Sequence, residues 1–173
     1  MTRASFLTAV LASLAVGCGS SATAPTPTAP PKPTFSATLL ASNEVPPISN
    51  AESSASGSAT ITFDVTRDAS NTITGATATV VANLTGFPAG STITVAHIHT
   101  GAAGVGGGVL VPLIPAAGSV TLTNGAGSFT QTSPSIDGPT ATSIINNPAG
   151  FYFNVHTALN GGGVMRGQLV RTN

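Results

Sequence analysis

The chain has 173 residues and carries little charge: five Lys and Arg balance five Asp and Glu, so charged residues make up 6% of a sequence that is 41% hydrophobic. An average soluble domain has about 25% charged residues. The composition excludes the basic surface that holds nucleic-acid phosphates and the charged faces of a coiled coil, so no nucleic-acid partner is expected. Ala, Thr, Ser and Gly provide 90 residues, and Thr and Val with frequent Gly favour short β-strands in one domain.

Residues 1–17 have the pattern of a signal peptide. Arg3 precedes an apolar run over residues 6–16, which is too short to span a bilayer as a helix but has the length of a signal-peptide core. Cys18 follows and is the one cysteine of the chain, so an intrachain disulfide is excluded. Residues 14–18, LAVGC, resemble a bacterial lipobox, with Ala where Leu is more usual.

The lipobox resemblance implies cleavage before Cys18 and lipidation of that residue, which would anchor the chain to a membrane because each buried CH₂ contributes about 0.8 kcal/mol. The alternative is a cysteine that lies near an ordinary signal cleavage site. Gly19 follows, rather than Asp, which resembles the outer-membrane export signal of enteric lipoproteins. We therefore predict an exported lipoprotein of the bacterial cell envelope, held at the outer membrane, with residues 18–34 as the lipidated cysteine and a Pro- and Thr-rich, polyproline-like tether.

From Phe35 onwards, runs of alternating apolar and polar residues are separated by Gly, Pro and Asn. This period of two predicts β-strands, and the turn at residues 67–71 predicts a hairpin between the second and third strands. One helical turn is predicted at residues 140–146, ended by Pro148. The predicted strands are 35–40, 57–66, 73–84, 93–99, 119–123, 127–132, 151–156 and 165–171. About eight short strands predict an all-β, antiparallel Greek-key β-sandwich over residues 35–173.

The three histidines are the residues most suited to chemistry. His97 and His99 are separated by one residue in a predicted strand, so their rings share a face with Cα atoms about 6.6 Å apart. His156 ends another predicted strand, and strand pairing would bring it to the same place. Three imidazoles suit copper or zinc if the rings are neutral. The alternative is that these histidines form ordinary hydrogen bonds at a sheet edge.

The sequence motifs resemble those of the CHRD domain, the module named after chordin. The motif at residues 96–101, AHIHTG, is followed by a glycine-rich stretch and a strand at residues 109–113; the motifs FYFNVHT at 151–157 and GVMRGQL at 163–169 resemble the second signature, and EVPP at 44–47 the opening one. One departure is Val164, where the family often has Glu. The resemblance implies a β-sandwich fold and leaves the biochemical activity open, since membership in this family does not define one.

A weaker likeness is to Cu/Zn superoxide dismutase, which is also a Greek-key sandwich with a His-x-His strand. The full histidine set, the bridging ligand and the disulfide of that enzyme have no counterparts here, so dismutase activity is not expected. The sandwich is thus expected to be immunoglobulin-like or superoxide-dismutase-like.

Arg166 lies in the last predicted strand and needs a partner if its side chain is buried. If Arg166 points inward, an unpaired charge there is costly, and Glu44 is the candidate partner. We interpret the two as a structural ion pair that joins the first strand to the last; a substrate-guiding arginine is the alternative. Tyr152 and Asn154 share the face of His156, and the sequence leaves open whether they orient the metal ligands or are plain strand residues.

Several other kinds of catalytic chemistry are excluded because the sequence lacks the residues that they require. Residues 35–173 contain no Cys or Lys, which excludes thiol nucleophiles, Schiff-base lysines and P-loop chemistry there, and no Gly-x-Ser-x-Gly elbow is present. The glycine-rich residues 101–108 are predicted to form a loop that leads away from His99 and borders a pocket. We predict a non-catalytic binding or structural module whose partner is an unknown protein or small ligand. The alternative is a copper- or zinc-binding domain, and a redox enzyme is less well supported by the residues.

Overall fold

The computed structural model describes residues 30–114 and 120–173. The predicted signal peptide, Cys18 and most of the predicted tether lie outside the described residues. Residues from Pro31 to Asn173 form one compact unit. No helix of the described part of the chain is long and apolar enough to cross a membrane.

The described unit is a single antiparallel β-structure with one α-helix. Helix α1 (Gly138–Asn146) begins after Asp137, whose side chain accepts hydrogen bonds from the Thr140 amide and hydroxyl at 2.8 Å. Short 3₁₀ helices occupy Ala41–Asn43 and Pro148–Gly150, and the second of these follows the end of α1. The elements are β1 (Thr34–Leu40), β2 (Ser56–Arg67), β3 (Ile73–Thr85), β4 (Thr92–Thr100), β5 (Val109–Ile114), β6 (Val120–Thr121), β7 (Gly127–Thr132), β8 (Ile136–Asp137), α1 (Gly138–Asn146), β9 (Phe151–Thr157), β10 (Met165–Gln168) and β11 (Val170–Arg171).

The sheet follows the order β5-β4-β9-β10-β1-β2-β3-β7. β1, β2 and β3 are consecutive neighbours, and β10 returns by a long connection to lie beside β1, which is the crossover of a Greek-key sheet. The end strands β5 and β7 approach each other, so the two layers of the predicted sandwich are opposite walls of a nearly closed barrel. The all-β, antiparallel fold is therefore confirmed. Seven of the eight predicted strands lie in this order; the one predicted at 119–123 is the two-residue β6, which pairs with β4, and β5 takes the eighth place.

The barrel interior is built from the alternating apolar residues that the sequence pattern indicated. In β2, Ala59, Ile61 and Phe63 are buried while their neighbours face outward. Phe63 packs edge-to-face on Phe35 of β1 with ring centres 5.6 Å apart. One prediction differs in detail: the strand at 165–171 is interrupted at Leu169, which is buried and whose amide donates to the Phe151 carbonyl.

Strand β9 is buried on both faces. Its odd-numbered residues, such as Phe153, belong to the apolar interior, whereas its even-numbered residues face the opposite side. Direct pairing of neighbouring strands extends this second face across β4 and β10. We call the resulting set the polar layer; it consists of His97, His99, Tyr152, Asn154, His156 and Arg166.

Candidate metal centre

Strand register brings the three histidines together. β4 and β9 are antiparallel neighbours, and His156 lies opposite Val95, His97 opposite Asn154 and His99 opposite Tyr152. Because directly paired residues project from the same face of a sheet, all three imidazoles belong to the polar layer. The pairing that the sequence analysis required is thus present in the structure.

The three rings are close enough to share one ion. One ring nitrogen from each histidine lies within 4.8 Å of the others, and His97 Nδ1 is 3.3 Å from His156 Nε2. An ion with tetrahedral angles and metal–nitrogen bonds of about 2.0–2.1 Å separates its ligand nitrogens by about 3.3 Å. The narrowest separation equals this value, and the 4.8 Å limit leaves the three nitrogens close to the spacing that one ion requires.

Backbone carbonyls fix the orientation of the two buried histidines. His99 Nδ1 donates to the Gly107 carbonyl at 3.0 Å, and His156 Nδ1 donates to the Gly161 carbonyl at 3.0 Å. A carbonyl oxygen only accepts, so both Nδ1 atoms carry the proton and both Nε2 atoms present a lone pair. This is the arrangement of a metal-ligating histidine whose second nitrogen is held by an acceptor.

His99 Nε2 has no hydrogen-bond partner although it is buried. A buried acceptor without a partner costs about 1–3 kcal/mol, and an ion bound at this atom removes that penalty. His97 is less buried than the other two and lies at the outer side of the group. Without an ion, His97 Nδ1 donates to the lone pair of His156 Nε2 at 3.3 Å; to ligate an ion through Nδ1, the His97 ring must carry its proton on Nε2 instead.

The environment keeps the imidazoles neutral. Burial, followed by the neighbouring His156 and His99 rings, lowers the pKa of His97 to about 4. Burial also lowers the pKa of His99 and of His156, against the opposing effect of their backbone hydrogen bonds. Neutral rings at neutral pH are the form that binds metals.

The glycine-rich loop folds back against the polar layer instead of leading away from His99. Residues 102–108 expose their own side chains to solvent, while their backbone bonds to the layer beneath: the Gly107 amide donates to Tyr152 Oη at 3.2 Å, and Arg166 Nη1 donates to the Val105 carbonyl at 3.1 Å. A Cβ at Gly107 would lie 1.7 Å from the Thr100 carbonyl oxygen. Glycine is needed here because two backbone segments touch.

Tyr152 lies between a histidine and a cation. Its ring stacks on His99 with ring centres 5.0 Å apart and an angle of 15° between planes, and the Arg166 guanidinium carbon lies 4.6 Å from the Tyr152 ring centre. The tyrosine thus restricts the ring plane of His99 and attracts the guanidinium through its π-face.

Glu44 and Arg166 meet at the limit of ion-pair distance. Arg166 Nε is 4.0 Å from Glu44 Oε2, but the same Nε donates to the Asn43 carbonyl at 2.6 Å. Burial outweighs the attraction of Arg166 and raises the pKa of Glu44 to about 7. The arginine therefore depends on backbone carbonyls as much as on the carboxylate.

Asn154 is buried between His97 and Arg166 in the paired strands. Its Oδ1 has no hydrogen-bond partner, and neither has Glu44 Oε1. A Cβ at Gly163 would lie 2.6 Å from Asn154 Nδ2 and 2.9 Å from Glu44 Oε1, so both side chains press against the Gly163 backbone.

Sequence reasoning missed the cluster of side chains that holds the loop at residues 158–163, next to His156. Buried Glu52 accepts hydrogen bonds at 2.6 Å from Thr157 Oγ1 and from Asn160 Nδ2. These bonds fix the chain next to Gly161, whose carbonyl orients His156. No local pattern marks Glu52, because its partners lie more than 100 residues away; the three consecutive glycines at 161–163 were the one visible signal.

A groove of about 540 Å³ lies beside the polar layer. Its walls include Asn43, Val45, Arg166, Gln168 and Val170, so it is bordered by the loop after β1 and by the final strands. The histidines do not line it. The groove and the histidine site are separate features on the same face of the sheet.

The fold and these motifs define a small, barrel-like β module with a buried polar layer. The CHRD domain family matches residues 35–169, and the chain belongs to this family. No curated protein and no solved structure matches the chain. Family membership indicates a binding or structural module.

Proposed function

We propose that this CHRD domain is a binding module for a transition-metal ion, held by His97, His99 and His156. The observation that carries the proposal is the convergence of three ring nitrogens within 4.8 Å. Imidazole nitrogens suit copper and zinc. Ordinary hydrogen-bonding histidines need partners at each buried nitrogen, and Nε2 of His99 has none.

The surroundings support ion binding over catalysis. Both buried ligand rings are held by backbone carbonyls of separate loops, and the loop over His99 is bonded to Tyr152 and Arg166. Such support favours a site that holds its ion in place, since outer hydrogen bonds fix the orientation of the ligand rings.

We also propose that Cys18 is lipidated and that the chain is anchored in the bacterial cell envelope at the outer membrane, with residues 19–34 as spacer. The support is the sequence alone: the apolar core, the small residue before Cys18 and the single thiol. Expression with a labelled fatty acid tests the anchor: the wild type is expected to incorporate label and to partition with membranes, and Cys18→Ser to do neither. Equal labelling of both proteins would contradict the anchor.

The metal proposal is tested by metal content. The full chain carrying Cys18→Ser, which removes the competing thiol, is incubated with Cu or Zn, dialysed and analysed by mass spectrometry. We expect about one ion per chain, and less than a tenth of that in the variant with all three histidines replaced by Ala, because three donors are lost.

Asn83→Ala, at an exposed position of β3, is the matched control and is expected to retain full metal content. Circular dichroism establishes that each variant is folded. Equal metal content in the triple variant and the control would overturn the proposal.

A further inference from the structure

We propose that Arg166 makes the histidine site selective for monovalent copper, Cu(I), over divalent ions; this inference rests on the proposed metal-binding function. Arg166 is a specificity-determining residue in this proposal because it sets the local charge without touching the ion. The site already described contains its three ligands, and the selectivity follows from what surrounds them.

The first step is the charge of the ligand set. The ligand group of the described residues consists of three histidines, with no carboxylate or thiolate. Neutral imidazoles leave the full charge of the ion uncompensated. A divalent ion bound by such a set keeps two positive charges, and Cu(I) keeps one.

The second step is burial. His99 and His156 are 6% and 5% exposed, and His97 is partly exposed. The free energy of placing an ion in a medium of low dielectric constant rises with the square of its charge, so uncompensated divalent ions are penalised far more than monovalent ones.

The third step is the buried cation nearby. Arg166 is 3% exposed, and its stacking on Tyr152 at 4.6 Å, with Tyr152 on His99 at 5.0 Å, places the guanidinium within about 10 Å of the His99 ring. Glu44 is 4.0 Å from Arg166 Nε and offsets part of this charge, but the guanidinium Nη2 has no partner. A divalent ion is repelled by Arg166 twice as strongly as a monovalent one.

The fourth step is coordination geometry. Among the His, Cys, Asp and Glu side chains of the described residues, the ligand group offers three nitrogens, which is a low coordination number. Cu(II) prefers tetragonal sites, and zinc sites with three protein ligands are completed by a further ligand such as water. A largely buried site with three nitrogen ligands therefore disfavours both divalent ions relative to Cu(I).

The experiment measures two affinities for each variant of the full chain, in a Cys18→Ser background and at pH 8. Cu(I) is titrated under ascorbate against bicinchoninate, and Zn(II) is titrated against a chromophoric chelator. The wild type is expected to bind Cu(I) at least tenfold more tightly than Zn(II). For Arg166→Met, the preference for Cu(I) is expected to fall about tenfold, because the variant removes one unit of positive charge that acts over about 10 Å at an effective dielectric constant of about 20.

Three further variants separate charge from structure. Arg166→Lys keeps the charge and is expected to restore most of the preference. Arg67→Met removes an exposed positive charge at the end of β2 and is expected to leave the preference unchanged. Glu44→Gln removes the offsetting carboxylate and is expected to raise the preference a few-fold, so it carries the test even if Arg166→Met does not fold.

The outcomes distinguish the two proposals. Absence of both metals from the folded wild type overturns the metal-binding function itself. Zn(II) bound as tightly as Cu(I) leaves that function standing and overturns the Cu(I) selectivity. A preference that changes in the same way in Arg166→Met and Arg67→Met, or that does not rise in Glu44→Gln, overturns the role of Arg166.

Discussion

At the scale of single residues, Glu44 combines burial with an incomplete set of partners. Its Oε1 accepts no hydrogen bond, and burial raises its pKa to about 7 from an ordinary 4.5, in spite of Arg166. In the unfolded chain the carboxyl loses its proton near pH 4.5, whereas the folded protein keeps it up to about pH 7. The stabilisation from Glu44 is therefore complete below pH 4.5 and is lost as the pH rises through 7.

This titration predicts the effect of Glu44→Gln on stability. Gln cannot ionise, so the free energy of unfolding of Glu44→Gln lacks this pH dependence. Between pH 4.5 and 8, the free energy of unfolding of the wild type is expected to fall by about 2–3 kcal/mol more than that of Glu44→Gln. Urea denaturation of metal-free protein at several pH values measures the difference. Asp64→Asn, at an exposed carboxylate, is the control. Parallel pH profiles for wild type and Glu44→Gln would show that the raised pKa is wrong.

The histidines predict how metal affinity depends on pH. Proton competition weakens metal binding when a ligand histidine becomes protonated. Burial lowers the pKa of all three rings, that of His97 to about 4, so the apo site takes up protons at a lower pH than histidines exposed to water do. Zn(II) affinity is expected to fall less than tenfold between pH 7 and 5.5. An unstructured peptide with three histidines of ordinary pKa is expected to lose about a thousandfold.

Competition titrations with a chelator at fixed pH give both curves. The peptide serves as the reference for histidines exposed to water. A fall of the same size in the protein and the peptide would mean that burial does not protect the site from protons.

At the scale of elements, the loops matter as much as the strands. The loop 101–108 holds His99 through the Gly107 carbonyl, and a Cβ at Gly107 would overlap the Thr100 carbonyl. Gly107→Ala is therefore expected to displace the loop, to destabilise the fold by more than 2 kcal/mol, and to reduce metal affinity at least tenfold.

The neighbouring Gly106 offers a matched control, because a Cβ there meets nothing within 4 Å. Gly106→Ala is expected to change stability by no more than about 0.5 kcal/mol. Denaturation and metal titration of both variants test the loop. Equal effects of the two substitutions would show that the loop backbone does not position His99.

The strands were predictable from sequence and the loop positions were not, for a physical reason. Alternation in β2, for example at Ile61 and Phe63, directly reports which face is buried. The carbonyl that accepts a hydrogen bond from His99 belongs to Gly107. Because glycine has no side chain, the pattern of residue types does not indicate the path of the backbone there. The glycine-rich composition indicated a close approach of backbone, but not that the loop folds back over its own strand.

At the scale of the whole molecule, the low charge content of the chain acquires a structural explanation. Glu44, Glu52 and Arg166 are buried, so three of only ten charged residues serve the interior. The predicted link between the beginning and the end of the chain is visible as a carboxylate near the arginine, although the arginine also bonds to the Asn43 and Val105 carbonyls. Sequence reasoning identified the pair but could not foresee those carbonyl partners, because they depend on the path of two loops.

The placement of the histidines predicts that metal binding stabilises the whole domain. His97 and His156 lie 59 residues apart in sequence on adjacent strands. The two buried ligand rings, His99 and His156, are bonded to carbonyls of two different loops. An ion that binds the folded state alone adds about 2.7 kcal/mol at a concentration of one hundred times its Kd. For a domain of this size, that gain raises Tm by about 10 °C.

Scanning calorimetry of the apo and metal-loaded protein measures this shift, and hydrogen exchange locates it. Amides of the loops 101–108 and 158–163 are expected to gain protection together, since the carbonyls at Gly107 and Gly161 both hold ligand rings. The variant that lacks all three histidines is expected to show no shift in Tm. A Tm shift of equal size in that variant would place the stabilising ion elsewhere. A Tm shift confined to the wild type, without added protection of the loop amides, would mean that the ion joins β4 to β9 while the loops move independently of it.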